Sequence, residues 1–176
     1  FTNSLLTNQT ITVTTPAPAN AAFGSNFTVA AVATSGLPVT YSAVGSCTNV
    51  GTTFTMTSST GTCTVQYNQA GNVNFNPAPQ VTNTTNAQKA NQVITVGTPA
   101  PANAVMGATF TVAATASSGL PVAYSATGVC TNIGADFTIT SGAGTCVVHY
   151  NQAGDINYNA ATEITAGVTA QKADQT

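Results

Sequence analysis

Charge is what this chain has least of. Among 176 residues there are two basic side chains of the Lys/Arg type, Lys89 and Lys172, four acids and one histidine. Charged residues make up 3% of the sequence, against roughly 25% in ordinary soluble domains. A formal charge of −2 offers no attraction for nucleic acid or for an anionic membrane. It also gives little mutual repulsion, so lateral self-association into fibres is easy. Tryptophan is absent. No apolar run approaches the ~20 residues that cross a bilayer, so no membrane insertion is expected in this segment. No signal peptide is visible and the chain begins with Phe1, which reads as a mature or excerpted piece of a longer secreted polypeptide.

What the chain has in abundance is Thr, Ser, Asn and Gln, and it has one long stretch twice. Gly61-Thr62-Cys63-Thr64-Val65-Gln66-Tyr67-Asn68-Gln69-Ala70-Gly71 returns as Gly144-Thr145-Cys146-Val147-Val148-His149-Tyr150-Asn151-Gln152-Ala153-Gly154, offset by 83 positions. The copies align without insertion or deletion as residues 8–90 and 91–173, with roughly two thirds of paired positions identical. Residues 1–7 do not fit the repeat and read as the tail of a preceding module. Residues 174–176 restart it, as the beginning of a further one. Such a period suits an array of small complete domains rather than a solenoid. Hydrophobic residues reach 43% in a strand-like pattern, which excludes disorder.

Within each copy the strand signals are short and separated by turn residues. Gln9–Val13 reads as a first strand, and the prolines of Thr15–Asn20 favour an extended crossing. Asn26–Ala33 reads as one strand with a buried face, Val39–Val44 as another, and Thr52–Thr57 as a third with Phe54 and Met56 inward. In the Cys63–Asn68 strand, Cys, Val and Tyr stand two apart and share a face. An Asn-rich loop, Asn72–Pro79, and a weaker last strand at Gln80–Ala87 follow. No stretch has a helical period, and seven or so short strands argue a β-sandwich. Val50/Ile133, Met56/Ile139, Val73/Ile156, Phe75/Tyr158 and Val81/Ile164 differ between copies by volume-keeping swaps, which reads as core.

The four cysteines form two pairs, Cys47 with Cys63 and Cys130 with Cys146. Zinc competes as a reading, but there is no CxxC, and Gln66 stands opposite the only histidine, His149. A disulfide within each repeat is the better account, and it points to an oxidising, extracytoplasmic setting. A hydrolase needs a base held by a third group. His149 has no counterpart in the first copy and reads as an outward-facing strand residue, so no enzyme is expected. Asp136, Asp155, Glu163 and Asp174 are scattered, and the first copy has no acid, which argues against calcium. No cofactor is implied. Asn8, Asn26 and Asn83 open Asn-x-Ser/Thr sequons that their counterparts Asn91, Thr109 and Ala166 do not, as chance yields in a chain this rich in Asn and Thr.

Three segments carry a resemblance. They are Ser35–Ala43 with Ser118–Ala126, then Gly-Thr-Cys with Asn-Gln-Ala-Gly and Asn-Phe-Asn-Pro-Ala-Pro or Asn-Tyr-Asn-Ala-Ala, and last Gln88–Val96 across the junction. Together they resemble the tandem bacterial immunoglobulin-like repeats of large secreted and cell-surface proteins. The resemblance implies tandem immunoglobulin-like sandwiches arranged as a rod and used as stalk, spacer or fibre unit, outside the cell or on a bacterial surface. It also implies an alternative, an adhesin module whose Asn-rich loops bind glycan or a surface protein. Some such modules carry Lys–Asn isopeptide crosslinks promoted by a buried acid, which the acid-free first copy does not favour. The cysteines are not spaced like the antibody inter-sheet bridge, so the strands that the bridge joins stay open. Lys89-Ala90-Asn91-Gln92 lacks the Gly/Ser run of a flexible linker. It reads as a junction in which one repeat feeds almost directly into the next, its natural partner being further repeats of the same polypeptide.

Overall fold

A computed structural model describes residues 5–174 of the chain. Residues 1–4 of the leading segment and 175–176 of the restarted pattern lie outside the described residues. The chain divides between Ala90 and Asn91 into two compact units. It is all-β, with no helix among the described residues.

Among the described residues the first unit has nine strands: β1 (Ile11–Thr15), β2 (Asn20–Ala22), β3 (Asn26–Thr28), β4 (Ala30–Ala33), β5 (Thr40–Gly45), β6 (Cys47–Val50), β7 (Thr53–Met56), β8 (Thr62–Asn68) and β9 (Val81–Gln88). One sheet has the order β2-β9-β8-β5. The facing layer has β3-β7-β6, continued by the β1-β4 pair. Among these nine strands the pairings are antiparallel except β2 with β9, which is parallel. This is the two-sheet order of an immunoglobulin-like sandwich. The second unit repeats it strand for strand: β10 (Ile94–Thr98), β11 (Asn103–Val105), β12 (Thr109–Thr111), β13 (Ala113–Ala116), β14 (Ala123–Gly128), β15 (Cys130–Ile133), β16 (Asp136–Ile139), β17 (Thr145–Asn151) and β18 (Ile164–Gln171).

The central strand of each unit shows the period of two directly. In β8, Cys63, Val65 and Tyr67 are fully buried while Thr64, Gln66 and Asn68 point outward. Phe54 and Met56 of β7 meet them from the other sheet, and in the second unit Phe137 and Ile139 do the same. Burying each such side chain contributes about 1.5–3 kcal/mol. Aromatic pairs tie neighbouring strands, with Phe27 stacked on Phe54 and Tyr41 edge-on to Tyr67. Gly45 ends β5 at φ 91°, and a Cβ there would meet the Thr62 carbonyl oxygen at 2.2 Å. Only glycine lets the chain turn that closely past β8.

Three sequence expectations change. Asn26–Ala33 is two strands, because Val29 sits between them, 2% exposed, and sends β3 to β7 but β4 to β1. β2 and β6 are strands that no pattern announced. Of the swapped pairs read as core, Val50, Val73, Ile133 and Ile156 are exposed, at 87%, 86%, 88% and 68%. Val50 and Ile133 end strands at a hairpin tip, and Val73 and Ile156 ride on the Asn-rich loop, so both pairs lie outside the sandwich.

Candidate functional site

The three segments of the resemblance converge on one place. At the pole where each unit begins, a hydrogen-bonded polar knot joins them. Gln9, 3% exposed, donates from Nε2 to Gln69 Oε1 at 2.6 Å and to the Asn76 carbonyl at 2.7 Å. Ser35 donates its hydroxyl to Gln9 Oε1, and that same oxygen of Ser35 accepts the Leu37 amide. Gln69 Oε1 also accepts the Gly71 amide at 2.5 Å. Gly71 stands at φ 75°, and a Cβ there would lie 2.3 Å from the Phe75 carbonyl oxygen. The sequence thus needs Gln for its two-ended amide, Ser for a short donor and Gly for space.

The second unit builds the same knot from its own residues. Gln92 donates to Gln152 Oε1 at 2.5 Å and to the Asn159 carbonyl at 2.7 Å, and accepts from Ser118 at 2.5 Å. Asn159 Nδ2 donates to Asn91 Oδ1 at 2.8 Å. Of the four expected junction residues, Asn91 and Gln92 are therefore held inside the second unit's knot. Lys89 is exposed and Ala90 half-buried at the end of the first unit. In the first unit the segment arriving at the knot is held too: Thr7 bridges Phe75, with its amide on the Asn74 carbonyl and its carbonyl on the Asn76 amide, each 2.9 Å.

The Asn-rich loop is a turn built on its first residue. Asn72 Oδ1 accepts the amides of Asn74 and Phe75 at 2.8 and 3.0 Å. Asp155 Oδ1 takes the amides of Asn157 and Tyr158 at 2.7 and 2.8 Å. Either residue works because the loop asks only for an acceptor oxygen. Asp155 is a turn residue, and among the described residues no three His, Cys, Asp or Glu side chains gather where a metal could be held.

Away from the knot, Cys47 is bonded to Cys63 and Cys130 to Cys146, with Cα–Cα distances of 5.2 Å in both. Each bond joins β6 to β8, or β15 to β17, and so crosses between the two sheets. All four cysteines are buried. The second and last strands lie side by side: Asn20–Ala22 of β2 run parallel to Asn86–Gln88 of β9. Beyond the paired residues, Asn86 N donates to Ala19 O and Phe23 N to Gln88 O, at 2.9 and 2.8 Å. Thr169 with Ala102 and Met106 with Gln171 repeat these bonds in the second unit.

One buried polar group separates the copies. Tyr67 donates its hydroxyl to Asn83 Oδ1 at 2.9 Å, and the same oxygen takes the Ala17 amide at 3.4 Å. Ala166 replaces Asn83 in the second unit, and the buried Tyr150 hydroxyl is left with no acceptor for its proton. Asn83→Ala should destabilise the first unit by about 1–2 kcal/mol, and Ala166→Asn should stabilise the second by about 1 kcal/mol. Calorimetry would show the Tm of the altered unit moving by about 4–8 °C per kcal/mol.

Burial, with a smaller push from Tyr41, raises the Tyr67 phenol above 10.0. Burial raises Tyr150 likewise; the Ala100 amide opposes it and Tyr124 adds to it. A proton held more tightly in the folded chain contributes stability that is complete below the unfolded value. That stability is lost as pH rises from about 10 through the folded value. Urea midpoints should therefore be flat from neutral pH to about pH 9 and fall above about 10, and Tyr67→Phe with Tyr150→Phe should remove much of that fall.

No family model matches the chain, and no curated protein matches it. Among solved structures it is similar to human protocadherin-24 EC1-2, at 12% identity and a TM-score of 0.39, covering 89% of this chain and 93% of that one. It is also similar to mouse protocadherin-24 EC1-3, at 15% identity and a TM-score of 0.35, covering 98% of this chain and 70% of that one. At such values neither likeness carries an argument about what the chain does.

Proposed function

We propose that the chain is a load-bearing piece of an extracellular or cell-surface stalk or filament, each repeat a bead stapled by one disulfide. The observation that carries this reading is the parallel pairing of β2 with β9. Tension on a unit pulls β2 from its N-terminal end and β9 from its C-terminal end. Because the strands run the same way, these pulls oppose each other along the strand axis. The bonds between them are then loaded together, in shear, instead of opening one at a time. The knot adds a second hold: the entering strand is fixed at Gln9 or Gln92 before it reaches the sheets. In this reading force passes from β9 through Lys89-Ala90-Asn91 to Gln92. The partners are further repeats of the same polypeptide, and the scarcity of charge leaves lateral association unopposed.

Stretching single chains from their two ends tests this. The expected record is two all-or-none ruptures, one per unit. Gradual extension that begins with release of β1 and β2 would contradict it. Binding is the second reading, favoured by Val50 and Ile133, exposed at the ends of β6 and β15, and by Val73 and Ile156, exposed on the Asn-rich loop and its equivalent. Specific retention of the chain on a glycan or surface-protein array, lost in a Val73→Ser, Ile156→Ser variant, would support that role.

A further inference from the structure

Three of the positions at which the copies differ fall on one spot. Val44, Gln66 and Gln80 of the first unit are Thr127, His149 and Glu163 in the second. In the β14-β17-β18 sheet, Ser125 is paired with His149 and Thr165 lies across from it on the other side. Thr127 and Glu163 are its diagonal neighbours on the outer face. The three side chains form a line: Thr127 Oγ1 lies 2.8 Å from His149 Nε2, and His149 Nδ1 lies 2.9 Å from Glu163 Oε1. Asn151 Nδ2 donates to the same carboxylate oxygen at 2.8 Å. Hydrogen bonds from the Asn151 amide and then from His149 hold the Glu163 carboxyl below its ordinary 4.5. An ionised carboxylate only accepts, so Nδ1 carries a proton, and in the neutral imidazole Nε2 is the acceptor for the threonine hydroxyl.

We propose that Thr127 is an acyl-acceptor site, a hydroxyl primed by His149 to take an acyl group from small activated esters or thioesters. Thr127 Oγ1 forms a bond to the acyl carbon while its proton passes to His149 Nε2. The bond from that carbon to the leaving group breaks, the leaving group departs as an anion, and the imidazolium returns its proton to solvent. Glu163 is a positioning residue that fixes the imidazole tautomer. Thr127 is exposed and His149 is 21% exposed, so an acyl donor reaches the hydroxyl from the open face. A single covalent modification is required, not turnover. His149 lies on the outer face, as its alternation with Val148 and Tyr150 implies, and the strand register brings Glu163 to it from 14 residues away.

The test is acetylation of the whole chain by p-nitrophenyl acetate, followed by intact mass and peptide mapping. One acetyl group should settle on Thr127, about 100-fold more slowly in His149→Gln, the size of effect a general base supplies. Glu163→Gln should slow it about tenfold and change its pH profile, which a merely structural role would not. Both substitutions install the residue that the first unit carries at the equivalent position, Gln66 or Gln80, so folding is preserved. Acetyl found equally on the two lysines and Thr127, acetyl that stays on His149, or an unchanged rate in His149→Gln would each overturn the proposal.

Discussion

Replacing Gln69 with leucine should cost the first unit about 2–4 kcal/mol, the largest loss expected from a single side chain outside the apolar core. Gln69 is 7% exposed, and its Oε1 is shared by Gln9 Nε2 and the Gly71 amide. Leucine keeps the bulk and removes the acceptor. Two donors are then buried without a partner, at about 1–3 kcal/mol each. Gln9 keeps its bond to Asn76 O, which caps the loss. Urea denaturation should show a lower midpoint at an unchanged slope. Gln152→Leu should do the same to the second unit. Gln88→Leu, at an exposed position of β9, should stay within about 0.5 kcal/mol. A small effect at Gln69 would mean that the pole is held by its backbone bonds alone.

Opening the disulfides should have an effect of similar size on stability and a second, geometric one. Each bond closes a separation of 16 residues, and releasing a loop of that size costs about 3 kcal/mol. Under tension the bond also locks that loop. At about 3.5 Å per extended residue, 16 residues span about 56 Å, against the 5.2 Å that separates the bonded Cα atoms. Each unit should therefore lengthen by about 50 Å more on unfolding when reduced than when oxidised. Cys47→Ser should give that extra length in one rupture of the two. Equal lengths before and after reduction would show that the cysteines are not joined within the unit.

Much of the sandwich can be read directly from the sequence. β8 declares itself because Cys63, Val65 and Tyr67 alternate with polar neighbours over seven residues, long enough for a period of two to show. β6 does not, because Cys-Thr-Asn-Val between two glycines looks like a turn until β7 pairs with it. β2 is three residues after a proline run, and its strand character comes only from lying along β9. Val50 and Val73 mislead because an aliphatic swap that keeps volume suits an exposed strand end as well as a core. The knot was in view without being marked. Its glutamines and serine match between the copies, but so do most positions, and nothing local says that residues 9, 35 and 69 meet. His149 faces outward as the alternation requires. Its bond to Glu163 needed the register of β17 with β18, which no spacing along the chain supplies.

The central claim is that each unit carries load through the parallel pair of β2 and its last strand, β9, and through β11 and β18 in the second unit. The measurement that tests it most directly is single-molecule stretching of the same chain, oxidised and then reduced. The account predicts two ruptures per molecule in both states, with each step about 50 Å longer after reduction. A smooth, low-force extension in which β2 leaves β9 before the rest of the unit yields would contradict it.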